Sequence, residues 1–127
     1  MKTILVVEDT EAQRNEILES LSRNPDYQVV EAHDGDQGYA MLAKDPKRFD
    51  LIFLDYHMPG MNGIDVLRRL EREGKRVACP VVMITTEVES KGSEVKDLNI
   101  MAWVVKPFSK HRLEQLVVQI FDFLEKP

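Results

Sequence analysis

Cysteine is nearly absent from this chain: Cys79 stands alone among 127 residues. A single thiol forms no internal disulfide and, without a C-x-x-C partner, no thiolate metal or redox centre, so Cys79 reads as a small core residue. Long apolar runs are missing too. Nothing approaches the ~20 consecutive apolar residues that a membrane-spanning helix needs. The opening MKTILVVEDT has only a short apolar stretch broken by acids, and does not read as a signal peptide. A cytoplasmic protein with no membrane contact is expected. Positive charge is in deficit, with 17 Lys and Arg against 22 Asp and Glu, a net of −5. That balance argues against nucleic-acid binding, which rests on clustered Lys and Arg neutralising phosphates. Repeats and low-complexity tracts are also lacking.

What remains is ordinary globular material, 43% hydrophobic and 31% charged, long enough for one domain over residues 1–127 with a single core. Short β-branched runs alternate with helical periodicity five times. The strand candidates are ILVV (4–7), QVVEA (28–32), LIFLD (51–55), PVVMIT (80–85) and AWVV (102–105). Most are continuous apolar runs, as a parallel sheet covered on both faces requires. Thr10-Glu11-Ala12-Gln13 has capping-box spacing for the first helix, Asp34 to Gln37 repeats it for the second, and Asn62 with Asp65 does so for the third. Leu113, Leu116, Val117, Ile120 and Leu124 make the apolar stripe of the last helix. Lys91, Glu94, Lys96 and Asp97 read as the solvated face of a helix between the fourth and fifth strands. Right-handed crossovers then give a doubly wound, three-layer (βα)5 α/β sandwich.

In such sheets the functional crevice lies outside the carboxyl ends of the strands. Strand one ends in Glu8-Asp9, strand three in Asp55, strand four in Thr85-Thr86 and strand five in Lys106-Pro107. Two carboxylates ~4 Å apart at an effective dielectric of 20 repel by roughly 4 kcal/mol, so this acid cluster calls for a cation. Oxygen donors without thiolates or paired histidines favour Mg²⁺. Asp55 is then a rigidly held carboxylate, exposed to metal and solvent where its strand leaves the core. With a metal to shield its charge and Lys106 to bind the transferred group, it is equipped as a nucleophile toward phosphorus.

These residues resemble the receiver domain of two-component response regulators over essentially the whole chain. The matching features are Glu8-Asp9, Asp55 followed by MPGMNG, Thr85, and Lys106-Pro107-Phe108; the TTE (85–87) and AWVVKPF (102–108) segments look most like single-domain chemotaxis regulators. The resemblance implies a flavodoxin-like fold with strand order 2-1-3-4-5. It implies that Asp55 accepts a phosphoryl group from a sensor histidine kinase and that the protein catalyses its own aspartyl phosphorylation and dephosphorylation while serving as a signalling switch. Glu8, Asp9, Asp55 and the His57 backbone carbonyl would hold Mg²⁺, with Mn²⁺ able to substitute. Thr85, Lys106 and the Thr86 backbone would contact the phosphoryl group. It further implies a monomer whose switch, Thr85 with Trp103, alters the face formed by the fourth helix, fifth strand and fifth helix for an output protein such as a flagellar motor switch component. Glu8 stands where Asp is frequent, and Asn99 and Ala102 where glycines are common; Asn99 tolerates a left-handed turn.

Plainer readings compete at several positions. Trp103 is equally readable as part-buried packing, Thr85 as a strand former, and the His57 ring as solvent-facing rather than a metal ligand. A flavodoxin-like electron carrier shares the fold, but VEDTEAQR would repel a flavin phosphate. An aspartate-nucleophile phosphatase would want its attacking Asp after strand one with another two positions on, where this chain has Glu11. The end at LEKP suits a stand-alone regulator and equally a receiver cut from a longer one.

Overall fold

The computed structural model describes residues 1–86 and 97–126. In chain order the elements are β1 (Lys2–Val7), α1 (Glu11–Ser22), β2 (Tyr27–Ala32), α2 (Gly35–Lys44), β3 (Leu51–Asp55), α3 (Gly63–Arg72), β4 (Val81–Thr85), β5 (Ile100–Val105) and α4 (Lys110–Glu125). The strands form one parallel sheet in the order β2-β1-β3-β4-β5. This is the expected doubly wound, flavodoxin-like topology, with four helices among the described residues. The further helix expected between the fourth and fifth strands, with Lys91, Glu94 and Lys96, falls outside them. Asp97 is described, in a turn before β5. There its carboxylate takes a 2.5 Å bond from Arg68, so it is tied to α3 rather than part of a free charged face.

Side chains alternate across a strand, and the two faces sort accordingly. Leu5, Val7, Ile52, Leu54, Val81 and Met83 meet Leu42 of α2 and Val66, Leu67 and Leu70 of α3. Ile4, Val6, Leu51, Phe53, Val82 and Ile84 meet Ile17 and Leu21 of α1 and Leu113, Val117 and Ile120 of α4. Central strands β3 and β4 are buried along their whole length, which is why their sequences read as unbroken apolar runs. Edge strands β2 and β5 are only half-buried, and Gln28, Glu31 and Met101 face solvent.

The helix-start signals divide. Asn62 and Asp65 form the full reciprocal capping box of α3. Asp34 caps α2, and the Gln37 side chain reaches one residue further back, to the His33 N–H. Thr10 precedes α1 but its side chain makes no capping bond; both the Thr10 N–H and Gln13 are engaged elsewhere, as the site shows. At the other end of the chain Leu124 is 46% exposed, and Phe121, one turn earlier, packs into the core in its stead. Asn99 has no left-handed backbone, since no described non-glycine residue has positive φ; its side chain instead donates to the Val77 carbonyl at 3.0 Å.

Phe53 is the largest wholly buried side chain. Phe53→Ala is expected to lower unfolding free energy by about 3–5 kcal/mol in denaturant titrations. Phe123→Ala, at a position 66% exposed, should change it by no more than ~0.5 kcal/mol. Equal losses would contradict the placement of the core.

Candidate functional site

The parallel sheet delivers six residues to its carboxyl edge. Glu8 and Asp9 follow β1, Asp55 closes β3, Thr85 closes β4 with Thr86 beyond it, and Lys106 follows β5. The loop after Asp55 is shaped by two glycines. Gly60 has φ of 75°, the left-handed region that glycine enters without strain. At Gly63 a Cβ would stand 2.6 Å from the Asp55 carbonyl oxygen, so α3 can start this close to β3 only with glycine there. The Gly63 N–H donates to the Tyr56 carbonyl at 3.2 Å, fastening the turn.

Glu8, Asp9 and Asp55 converge, each offering a carboxylate oxygen within 4.8 Å of the other two. Lys106 lies over two of them, with Nζ 3.3 Å from Glu8 Oε2 and 3.3 Å from Asp55 Oδ1. Its backbone N–H donates to the Thr85 carbonyl at 2.8 Å, so the ends of β4 and β5 are locked together at the site. The Lys106–Pro107 peptide bond is cis. One expectation is corrected: Asp55 is not solvent-exposed. It is 1% accessible and Glu8 0%, and Lys106 beside them is itself only 11% exposed.

Burial sets the electrostatics. The Glu8 carboxyl is pushed up to about 7, first by burial and then by the Asp55 charge, with Lys106 opposing. Asp55 is also raised, chiefly by burial, while Lys106 and a hydrogen bond from Glu8 pull the other way. Both shifts favour a proton shared between the two carboxyls over two full charges. Three carboxyls against one ammonium leave a formal deficit of two positive charges, in surroundings where that deficit is costly.

The donor set fits a hard divalent cation: three carboxylates, two of them buried and that of Asp9 partly open, with no thiolate or imidazole among them. The His57 ring is exposed and meets Tyr56 edge-on at 4.7 Å, so among the described residues the imidazole is not in the acid cluster. The His57 N–H approaches Asp55 Oδ1 at 3.4 Å. Thr85 is buried and Thr86 exposed at the same edge. Trp103 is half-buried, its ring 6.3 Å from Tyr56.

Two residues at the site went unread in the sequence. Gln13, assigned to a capping box, accepts a hydrogen bond from Lys106 Nζ instead, while the Thr10 N–H that it would have satisfied donates to Glu8 Oε1 at 3.2 Å. Arg14, buried, donates to the Glu8 carbonyl at 2.9 Å and pairs with Glu31 at 3.2 Å. The available signal was their place in the first turn of the helix that follows the acid pair.

The family model described as the response regulator receiver domain matches residues 4–118. This chain belongs to that family. The receiver domain is 33% identical over 121 residues to chemotaxis protein CheY of Pseudomonas aeruginosa, covering 94% of this chain and 95% of that one. It is 34% identical over 114 residues to the phosphate regulon transcriptional regulatory protein PhoB of the same organism, covering 88% of this chain but spanning only 48% of that relative. The solved structure of Vibrio cholerae chemotaxis protein CheY4 superposes with a TM-score of 0.81 at 30% identity, over 94% of this chain and 98% of that one. No described helix of the receiver domain is long and apolar enough to cross a membrane.

The raised Glu8 carboxyl has a signed consequence for stability. Between about pH 4.5 and 7 the folded protein binds more protons than the unfolded chain, so this group stabilises the metal-free fold below pH 4.5 and that contribution is lost as pH rises to about 7. Glu8→Gln cannot titrate. Thermal unfolding in chelator should show the variant gaining on the parent from pH 5 to 7.5; a constant difference would mean that Glu8 titrates normally.

Proposed function

We propose that this chain is a phosphoryl-accepting switch of two-component signalling, one receiver domain over residues 1–127 that takes a phosphoryl group from the phosphohistidine of a sensor histidine kinase onto Asp55. The donor's P–N bond breaks, a P–O bond forms to an Asp55 carboxylate oxygen, and the imidazole leaves with the electron pair and takes up a proton. One observation carries this reading: the terminal carboxylate of a fully buried strand sits 3.3 Å from a lone ammonium, with two more acids beside it.

Glu8, Asp9 and Asp55, with the His57 carbonyl, are the residues that would hold Mg²⁺, with Mn²⁺ able to substitute. The bound ion supplies the positive charge that lets a carboxylate approach a phosphoryl group. Lys106 meets the charge on the transferred group from the β5 side, and the Thr85 hydroxyl and Thr86 N–H hydrogen-bond to it. The new acceptor oxygens draw Thr85 inward, and Trp103, on the neighbouring strand, packs into the space left. The surface changed includes β5 and α4.

Likeness to a chemotaxis protein over nearly its full length favours a cytoplasmic, monomeric regulator of chemotaxis or motility, with a flagellar motor switch component as the output partner. Likeness to half of a longer transcriptional regulator supports a second reading, in which the receiver controls an attached output domain.

Acetyl phosphate with Mg²⁺ should add one phosphoryl group by intact mass. Asp55→Asn and excess chelator should each abolish it, and full labelling of Asp55→Asn would sink the reading. Trp103 is the only tryptophan in the chain. Beryllofluoride with Mg²⁺ should therefore shift its emission and reduce its quenching by iodide, and Thr85→Ala should blunt both changes; unchanged quenching in the parent would make Trp103 static packing.

A further inference from the structure

We infer that Gln13 is a positioning residue for Lys106, a neutral acceptor on α1 that holds the ammonium aimed at Asp55. The inference rests on the phosphoryl-transfer reading and adds a residue to its machinery.

An ammonium has three donors, and Lys106 Nζ has three acceptors around it: Glu8 Oε2 and Asp55 Oδ1, each at 3.3 Å, and Gln13 Oε1. Both carboxylate contacts are longer than the 2.7–2.9 Å usual for an ammonium bonded to a carboxylate. The acids alone therefore do not fix the direction of a four-carbon stem with freely rotating bonds. The amide of Gln13 supplies the third point. Its commitment is visible in what it gives up, because Thr10 lacks a side-chain cap and its N–H turns to Glu8. Charge explains the residue type. Two carboxyls already meet the ammonium and Asp9 lies in the same cluster; a further acid would add repulsion toward an incoming phosphate, whereas an amide orients the lysine without adding charge. Arg14, the next residue, donates to the Glu8 backbone carbonyl, so the first turn of α1 also ties down the chain at the acid pair.

The test uses Gln13→Leu, close in volume but without an acceptor, and Gln13→Met as a second apolar replacement should the first fold poorly. Labelling by acetyl phosphate at saturating Mg²⁺ should slow about tenfold in its maximal rate, since a misaimed group costs rate rather than affinity. The Mg²⁺ dissociation constant and the thermal midpoint should stay close to the parent's. In a Lys106→Met background the same Gln13 substitution should change neither the labelling rate nor, where labelling is too slow to follow, the affinity for beryllofluoride with Mg²⁺. Two results would overturn the inference: an unaltered labelling rate in both Gln13 variants, or an equal loss with and without Lys106. A parent that takes no label at all would instead defeat the reading beneath it.

Discussion

The ammonium of Lys106 between Glu8 and Asp55 is the contact on which the rest of this site depends. Two buried carboxyls this close are tolerable only with positive charge between them, and the fold brings that charge from a residue 98 positions away from Glu8. Parallel order β1-β3-β4-β5 makes this possible, because it places the ends of β1, β3 and β5 along one edge. The lysine answers only part of the demand. With Asp9 included, one cationic group faces three acids, and a proton on Glu8 makes up some of the difference.

The incomplete balance is what suits the site to bind and release charge. A fully neutralised cluster would have little to gain from a cation, and an unneutralised one would destabilise the fold. The glycine at position 63 and the capped start of α3 hold the backbone after Asp55 close to the sheet, so charge changes at the carboxylate meet a stiff support. Tyr56 continues that support sideways, with its ring against both His57 and Trp103.

Much of this was legible in the sequence, for physical reasons that differ by element. β3 and β4 are buried on both faces, so their uninterrupted apolar runs marked them within a residue, and the polar group ending each run marked the site. The box at Asn62 and Asp65 was legible because the two side chains satisfy each other's backbone, as the spacing alone implies. The box at Thr10 and Gln13 was misread because tertiary partners outbid it: Glu8 takes the Thr10 N–H and Lys106 takes the Gln13 amide. Leu124 fitted the helical stripe by spacing but is 46% exposed, and periodicity does not report where the supporting surface stops. The burial of Asp55 was invisible for a related reason, since a sequence does not disclose where long side chains of distant segments, such as Lys106, come to lie.

The buried acids carry more negative charge than Lys106 balances, and a proton stands in for the missing cation. Calorimetric titration of Mg²⁺ into the metal-free protein, repeated in buffers of different ionisation enthalpy, counts the protons displaced on binding. The account predicts release of a fraction of one proton near pH 7, where Glu8 is partly protonated, and none at pH 9. Mg²⁺ binding with no proton release at pH 7 would contradict it.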